Sequence, residues 1–227
     1  MIRLFYMSLW LSLAAGGLFP AAAARPQQDR EVKTFSRSMN LAMRGGQLSL
    51  SLSFPEVFTA QLKNRLASGF TSFVIVEVLV WADGVKNPVA SGVAQFIILY
   101  DIWDERYNVR QAGPWGVRQL GPRSLSELIQ VCGSLAQMQL FQLQVLPEQA
   151  NLRIEAVITV NPASEEQKSK VREYMANPDG RRYMGSPRSF FGSFSRIFVN
   201  EKDIRADAVY SYRSPVIPWP KPQPASN

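Results

Sequence analysis

The apolar run from Phe70 to Ala82 is the feature of this sequence that most constrains the fold. Apolar residues, many of them β-branched, fill both its odd and its even positions, and within residues 73–80 only Glu77 interrupts them. A strand with one solvent-exposed face alternates apolar and polar residues, so this pattern indicates a central strand covered on both sides. The turn signal Asp83-Gly84 follows, and residues 90–110 predict a long returning strand with a bend or bulge.

Glu77 is the one charged residue in the centre of this run. A buried carboxylate without a partner is costly, and pairing with Arg106 or Arg110 on the neighbouring strand would offset that cost. The alternative is a catalytic acid with a raised pKa, which would require a cleft at this position.

Period-two alternation predicts further strands. Residues 39–43 and 48–54 flank Gly45-Gly46 and predict a β-hairpin, while residues 152–160 and 206–212 predict two later strands. Three capping boxes predict helices over 55–68, 125–138 and 164–176, and Phe190, Phe194 and Phe198 predict a short helix after Pro187. The fold class is therefore α+β, built on antiparallel β-hairpins with connecting helices, and two sheets packed as a sandwich are one arrangement of it.

The amino terminus has the pattern of a signal peptide over residues 1–24. Arg3 precedes an apolar run from Leu4 to Phe19, and small residues follow at Ala21–Ala24. An uncleaved amino-terminal anchor is the alternative, although Gly16, Gly17 and Pro20 shorten the run below the ~20 residues of a membrane span. The sequence thus predicts an exported protein, periplasmic or extracellular.

The remaining chain divides into three parts by composition. Residues 25–37 are polar and aperiodic and predict a flexible leader. Residues 38–213 form a single β-rich domain, and residues 214–227 form a proline-rich tail that is extended or disordered.

The absence of histidine excludes several classes of enzyme. Ser-His-Asp triads, Cys-His dyads and His-containing metal sites are impossible in this chain. The single cysteine, Cys132, forms no internal disulfide and serves either as a small core residue or as a reactive thiol or intermolecular bridge. No metal-ligand spacing, Gly-rich phosphate loop or Ser-x-x-Lys motif occurs, so we predict no catalytic residues, no metal and no cofactor.

The charge of the chain indicates its partners only broadly. The full sequence has a net charge of +7, and removal of residues 1–24 takes away Arg3 and no acid, which leaves +6. A basic exported protein meets anionic head groups, acidic glycans or acidic proteins sooner than nucleic acid. We therefore expect an envelope protein or an anionic membrane surface as the partner.

Two stretches contain candidate binding residues. On a single strand, Asp101, Trp103, Glu105 and Tyr107 would share one face, which describes either a glycan-binding or glycan-cleaving surface or an exposed strand end with salt bridges. Between residues 181 and 198, arginines are interleaved with aromatic residues. This composition fits either a surface that docks on anionic lipid or a set of core phenylalanines with arginines that point outward. The candidate binding residues are Arg181, Arg182, Arg188, Phe190, Phe191, Trp103 and Glu105.

Three short motifs carry a family resemblance. Asn64–Phe70, Tyr100–Tyr107 and Ser124–Glu127, in this order, resemble a family of exported bacterial proteins known only as a domain of unknown function. The resemblance covers about residues 38–160 and implies an exported β-rich domain without known catalytic residues.

These observations favour a non-enzymatic, exported protein of the bacterial cell envelope that acts as a binding or accessory module. One alternative is a carrier of an apolar ligand such as an acyl chain, enclosed by the apolar faces of the strands. The other is a carboxylate-dependent glycan hydrolase that uses Asp101, Asp104 or Glu105.

The signal peptide gives a direct prediction. Expressed in a bacterial host, the mature protein should begin at or near Ala24 or Arg25 without added lipid mass, because no cysteine follows the apolar run. Mass spectrometry of the purified protein measures both. An intact Met1 on a cytoplasmic product would contradict the prediction.

Overall fold

The computed structural model describes residues 32–146, 149–163, 169 and 206–219. Across these residues it contains two α-helices and twelve strands. The helices are α1 (Ala60–Ala67) and α2 (Leu125–Cys132), and a short 3₁₀ helix spans Pro55–Val57. The strands are β1 (Lys33–Ser36), β2 (Asn40–Arg44), β3 (Gln47–Ser53), β4 (Ser72–Ala82), β5 (Ala90–Asp101), β6 (Arg106–Gly113), β7 (Gly116–Leu120), β8 (Ser134–Gln139), β9 (Phe141–Gln142), β10 (Asn151–Val160), β11 (Ala208–Arg213) and β12 (Ile217–Pro218).

The strands form a large and a small sheet. The large sheet has the order β1-β11-β10-β4-β5-β6-β7, with β12 paired to β10 and β9 paired to β5. The small sheet has the order β2-β3-β8. The pairing of β1 with β11 is parallel, and the pairs from β4 to β7 are successive antiparallel hairpins. The described chain is thus mostly β-strand with two helices, as the α+β prediction expects.

β4 is the central strand that the apolar run predicts. It lies between β10 and β5, and both neighbours are antiparallel to it. Val74, Val76, Val78 and Val80 point into the main core, while Ile75, Glu77 and Leu79 on the opposite face are equally buried. Burial on both faces explains why the strand is apolar at odd and even positions alike.

The main hydrophobic core draws side chains from both sheets and both helices. Leu50 of the small sheet, Leu66 of α1, Phe96 and Ile158 of the large sheet and Leu128 of α2 all belong to it and are fully buried. Burial of each such side chain contributes about 1.5–3 kcal/mol. The main core therefore lies on one face of the large sheet and holds the helices against it.

The helix predicted from residue 125 ends earlier than its periodicity indicates. Ser124 caps it as predicted, with its hydroxyl oxygen accepting from the Glu127 N–H at 3.1 Å. The helix stops at Cys132, and residues 134–139 form β8, so the predicted extension to Met138 is wrong. The reason is Gly133, whose N–H donates to the Ile129 carbonyl and whose carbonyl accepts from the Phe54 N–H.

The helix predicted over 55–68 is also shorter than expected. Ser53 does not cap it, because Ser53 is the last residue of β3 and pairs there with Ser134. The α-helical part begins after Thr59, whose hydroxyl oxygen accepts from the Leu62 N–H at 3.3 Å. Its predicted end at Gly69 is confirmed, since that glycine has a φ of 72° just beyond the C-cap.

Both ends of the predicted domain extend further than composition indicates. The flexible leader is wrong for Lys33–Ser36, which form β1, because Phe35 stacks on Tyr212 with ring centroids 5.2 Å apart. Arg37 adds a salt bridge to Glu56 at 2.8 Å. In the proline-rich tail, Ile217–Pro218 are extended as predicted, but they form β12 against β10, so disorder and an unpaired polyproline II segment are wrong for these residues.

Several sequence predictions lie outside the described residues. They are the signal peptide over 1–24, the helix after Pro187, the tail beyond residue 219 and, apart from Ser169, the helix over 164–176. The strands predicted over 152–160 and 206–212 are confirmed as β10 and β11, the second beginning at Ala208.

Gly133 supplies a stability test. A methyl group placed on it would lie 2.5 Å from the Ile129 carbonyl oxygen and 3.3 Å from Pro55 Cα. Gly133→Ala should therefore lower the free energy of unfolding by about 1–3 kcal/mol, the usual cost of overpacking. Urea denaturation of this variant measures the loss.

The matched control is Gly121→Ala, because a methyl group there meets no atom within 4 Å. We expect that variant to stay within about 0.5 kcal/mol of the parent protein. Equal stability of the Gly133 and Gly121 variants would contradict the close approach of α2 and the 3₁₀ helix.

Candidate binding surface

The connection between β5 and β6 is a four-residue turn over 102–105. The Asp101 carboxylate builds it by accepting from the backbone N–H of Trp103 at 3.0 Å and of Asp104 at 3.1 Å. Glu105 closes the turn with a φ of 49°, in the left-handed region that few non-glycine residues adopt. The predicted single strand over 90–110 is therefore wrong at this point, and Trp103 and Glu105 do not lie on a strand face.

Three large apolar side chains are exposed at this corner of the large sheet. Trp103 is 89% exposed, Phe70 60% and Ile102 55%. Phe70 belongs to the loop from α1 to β4, and this loop abuts the turn, since a Cβ on Gly69 would lie 3.7 Å from Ile102 Cγ2. We call Phe70, Ile102 and Trp103 the aromatic tip.

The groups around the aromatic tip hold its two loops in place. The Arg65 guanidinium lies over the Phe70 ring, 5.5 Å from its centroid. Beneath the turn, the rings of Tyr100 and Tyr107 pack with centroids 4.8 Å apart. Burial raises the pKa of the Tyr107 hydroxyl above its ordinary value, and the neutral ring supports the turn by packing against Tyr100.

Two carboxylates of this corner, those of Asp101 and Asp104, have structural contacts. Asp101 accepts from two backbone N–H groups, and Asp104 forms a salt bridge with Arg106 at 3.0 Å. Both members of that salt bridge are about half exposed, where an ion pair contributes roughly 0–1 kcal/mol. The contacts of Asp101 and Asp104 are those expected of an exposed end with a salt bridge.

The sequence-predicted binding residues divide into two groups. Trp103 and Glu105 lie in the turn that carries the aromatic tip, whereas Arg181, Arg182, Arg188, Phe190 and Phe191 lie outside the described residues. Sequence reasoning missed Phe70 and placed Ile102 on the opposite strand face. Two features of the sequence could have identified this surface. Phe70 directly follows Gly69, which ends the helix, and Ile102 and Trp103 lie between Asp101 and Asp104.

Glu77 is 3% exposed on the face of β4 opposite the main core. Pairing with Arg106 or Arg110 is wrong, because Glu77 lies opposite Val93 of β5, whereas Arg110 lies opposite Ile97 and Arg106 opposite Asp101. Both arginines are therefore displaced along β5 by at least four residues, about 13 Å of strand.

A cavity of about 140 Å³ lies between α1 and the end of β10. Two polar residues of its lining are hydrogen-bonded within the protein. The Asn161 side-chain amide donates to the Asp207 carboxylate at 2.8 Å and accepts from the Phe73 N–H at 2.7 Å. Ligand pockets usually enclose ~300–1,000 Å³. This cavity is therefore smaller than a usual ligand pocket, and its lining is part polar and part apolar.

Cys132 lies in the main core at the end of α2 and is fully buried. Burial raises the pKa of its thiol to about 12, so the nucleophilic thiolate is scarce at neutral pH. The predicted core role of Cys132 is confirmed.

Among the residues placed by the structure, no three cysteine or carboxylate side chains are grouped so that they could bind a metal ion. Neither described helix combines the length and apolar character that crossing a bilayer requires.

Comparison with protein-family models, curated proteins and solved structures finds no match for this chain. The resemblance carried by Asn64–Phe70, Tyr100–Tyr107 and Ser124–Glu127 therefore stays a prediction.

The role of Asp101 gives a test of the turn. Asp101→Ala removes the acceptor for two backbone donors and should cost about 1 kcal/mol of unfolding free energy, whereas Asp101→Asn keeps an oxygen acceptor and should cost less than about 0.5 kcal/mol. Urea denaturation of the two variants measures the difference. An equal loss in both would mean that the negative charge, not the acceptor, stabilises the turn.

Proposed function

We propose that this protein is an exported, non-enzymatic binding module of the bacterial cell envelope, and that it contacts its partner through the aromatic tip. The observation that carries this proposal is Trp103, which is 89% exposed on a turn fixed by Asp101. A tryptophan so presented contributes a large contact area to a complex and nothing to the core of its own domain.

The grouping of the aromatic tip supports a binding role. Single exposed apolar residues are normal on soluble proteins, but here three lie on two neighbouring loops at one corner, and exposed apolar patches are often functional. The hydrogen bonds of Asp101 and the packing of Tyr107 hold the turn before any partner arrives. Less conformational entropy is then lost on binding.

The chemistry of the described residues supports the non-enzymatic part of the proposal. Asp101 and Asp104 are engaged in the turn and in a salt bridge, which weakens the case for a glycan hydrolase. The cavity beside α1 is small and its lining is part polar, which weakens the case for a carrier of apolar ligands. The absence of histidine removes the commonest general base.

The amino-terminal sequence supports the cellular location. The pattern over residues 1–24 is that of a signal peptide, and the net charge of +6 on the remaining chain suits an envelope with acidic surfaces.

We also infer that the two sheets pack face to face as a sandwich. Side chains of β3 and β8 share the main core with those of β4 and β5. Gly92 of β5 permits a close approach, since a Cβ there would lie 2.7 Å from Leu140 Cδ2 and 2.8 Å from Met138 Cε.

Cell fractionation tests the proposed function. The full chain and a triple variant with Phe70→Ser, Ile102→Ser and Trp103→Ser are expressed in a bacterial host, and the envelope and soluble exported fractions are compared. We expect the parent protein in the envelope fraction and the triple variant released from it, with thermal unfolding nearly unchanged because the replaced side chains are exposed.

The matched control is Val117→Ser on β7. Val117 is 57% exposed, close to the 55% of Ile102, and lies about 20 Å from the turn along the β6–β7 hairpin. This variant should stay with the envelope. A triple variant that also stays would overturn the role of the aromatic tip, and a parent protein retained in the cytoplasm would overturn export.

A further inference from the structure

The size of the aromatic tip limits what its partner can be. Its three side chains together expose roughly 400–500 Å², whereas a stable protein–protein interface buries about 800 Å² on each partner. The aromatic tip also projects from a turn and a loop, whereas sites for small ligands are concave. A convex apolar patch of this size is better suited to a soft, continuous surface than to a second folded protein.

The residue types of the aromatic tip match the interface of a lipid bilayer. Tryptophan concentrates at the level of the headgroups, where its ring is buried and its N–H stays close to water. Phenylalanine and isoleucine beside it add apolar area that reaches the outer part of the acyl chains. Trp103 is the most exposed of the three and is placed to enter first.

Two backbone N–H groups of the turn can lose their water at low cost because they are already hydrogen-bonded within the protein. An unpaired N–H is costly at the edge of the hydrocarbon region, but those of Trp103 and Asp104 already donate to the Asp101 carboxylate. The same carboxylate and the Asp104–Arg106 salt bridge disfavour deep insertion, because charged groups remain at the headgroup level.

The corner of the sheet that carries the aromatic tip is not a basic patch of the kind that docks on anionic lipid. Asp101, Asp104 and Glu105 surround the aromatic tip together with Arg65 and Arg106, so the corner is not cationic although the whole chain carries +7. Attraction to anionic lipid would depend on salt, whereas insertion of apolar side chains depends mainly on the area they bury.

We propose that the aromatic tip inserts shallowly into the interface of a phospholipid bilayer, with Trp103 at the headgroup level and zwitterionic lipid sufficient for binding. This proposal rests on the proposed function and names the partner of the same surface. The bilayer contact is peripheral: the two loops enter the interface while the rest of the large sheet stays in water.

Vesicle binding tests this proposal. The purified full chain without residues 1–24 is mixed with phosphatidylcholine vesicles, and binding is followed by sedimentation and by quenching of tryptophan fluorescence with brominated lipid. We expect the parent protein to bind, with less than a twofold change between about 0.1 and 0.5 M salt, where the Debye length is already ~10 Å or less.

Variants assign the binding to the aromatic tip. Trp103→Ser should lower the partition coefficient at least tenfold and remove most of the lipid quenching, while Trp103→Tyr should retain binding because tyrosine also favours the interface. Val117→Ser should bind like the parent protein. Thermal unfolding of each variant verifies the fold.

Two results would overturn the proposal. One is the failure of the parent protein to bind phosphatidylcholine vesicles; if the triple variant nevertheless leaves the envelope fraction of cells, the proposed function stands with a protein partner. The other is binding to phosphatidylglycerol vesicles alone that disappears at high salt and survives Trp103→Ser, which would assign membrane contact to the basic residues of 181–198.

Discussion

The pairing of β4 on both sides is the constraint on which the rest of the described structure depends. β4 pairs with β10 over nine residue pairs and with β5 over another nine, and both of its faces are buried. Buried peptide groups must find partners, so a slip of β4 along either neighbour would leave buried N–H and C=O groups unpaired at its ends. The register of these pairs fixes where β5 ends, and with it the position of the turn that presents Trp103.

Local pattern predicted the parts of this fold whose residue types are set by burial rather than by one particular partner. The hairpin around Gly45-Gly46, the central strand and β10 follow from periodicity, because burial alone sets their residue types. The end of α2 does not, since Leu128, Cys132 and Leu135 keep helical spacing while the Phe54 N–H binds the Gly133 carbonyl. β1 was missed for the same reason, because Phe35 is held by Tyr212 at the other end of the chain.

The candidate site was predictable only in part. The sequence predicts Trp103 and Glu105 as binding residues, but on a strand face. In the structure the Asp101 side chain hydrogen-bonds the backbone and forms a turn in place of the strand. Phe70 joins the aromatic tip only because β4 and β5 are paired, which no local pattern reveals. Asp101 and Asp104, which suggest glycan chemistry in the sequence, form contacts within the turn and its base. Ile102 and Trp103, which lie between them, are exposed.

The parallel pairing of β1 with β11 has a consequence for the order of folding. Lys33 lies opposite Tyr210, so the first described strand can join the sheet only after nearly the whole described chain has been made. Contacts between such distant residues are slow to form, because a long loop must close first. Until then β1 is unpaired and the Tyr212 ring lacks its stacking partner Phe35. Completion of this sheet edge is therefore a late step, and the edge is where a partly assembled chain is most open to capture by a chaperone or by another copy of itself.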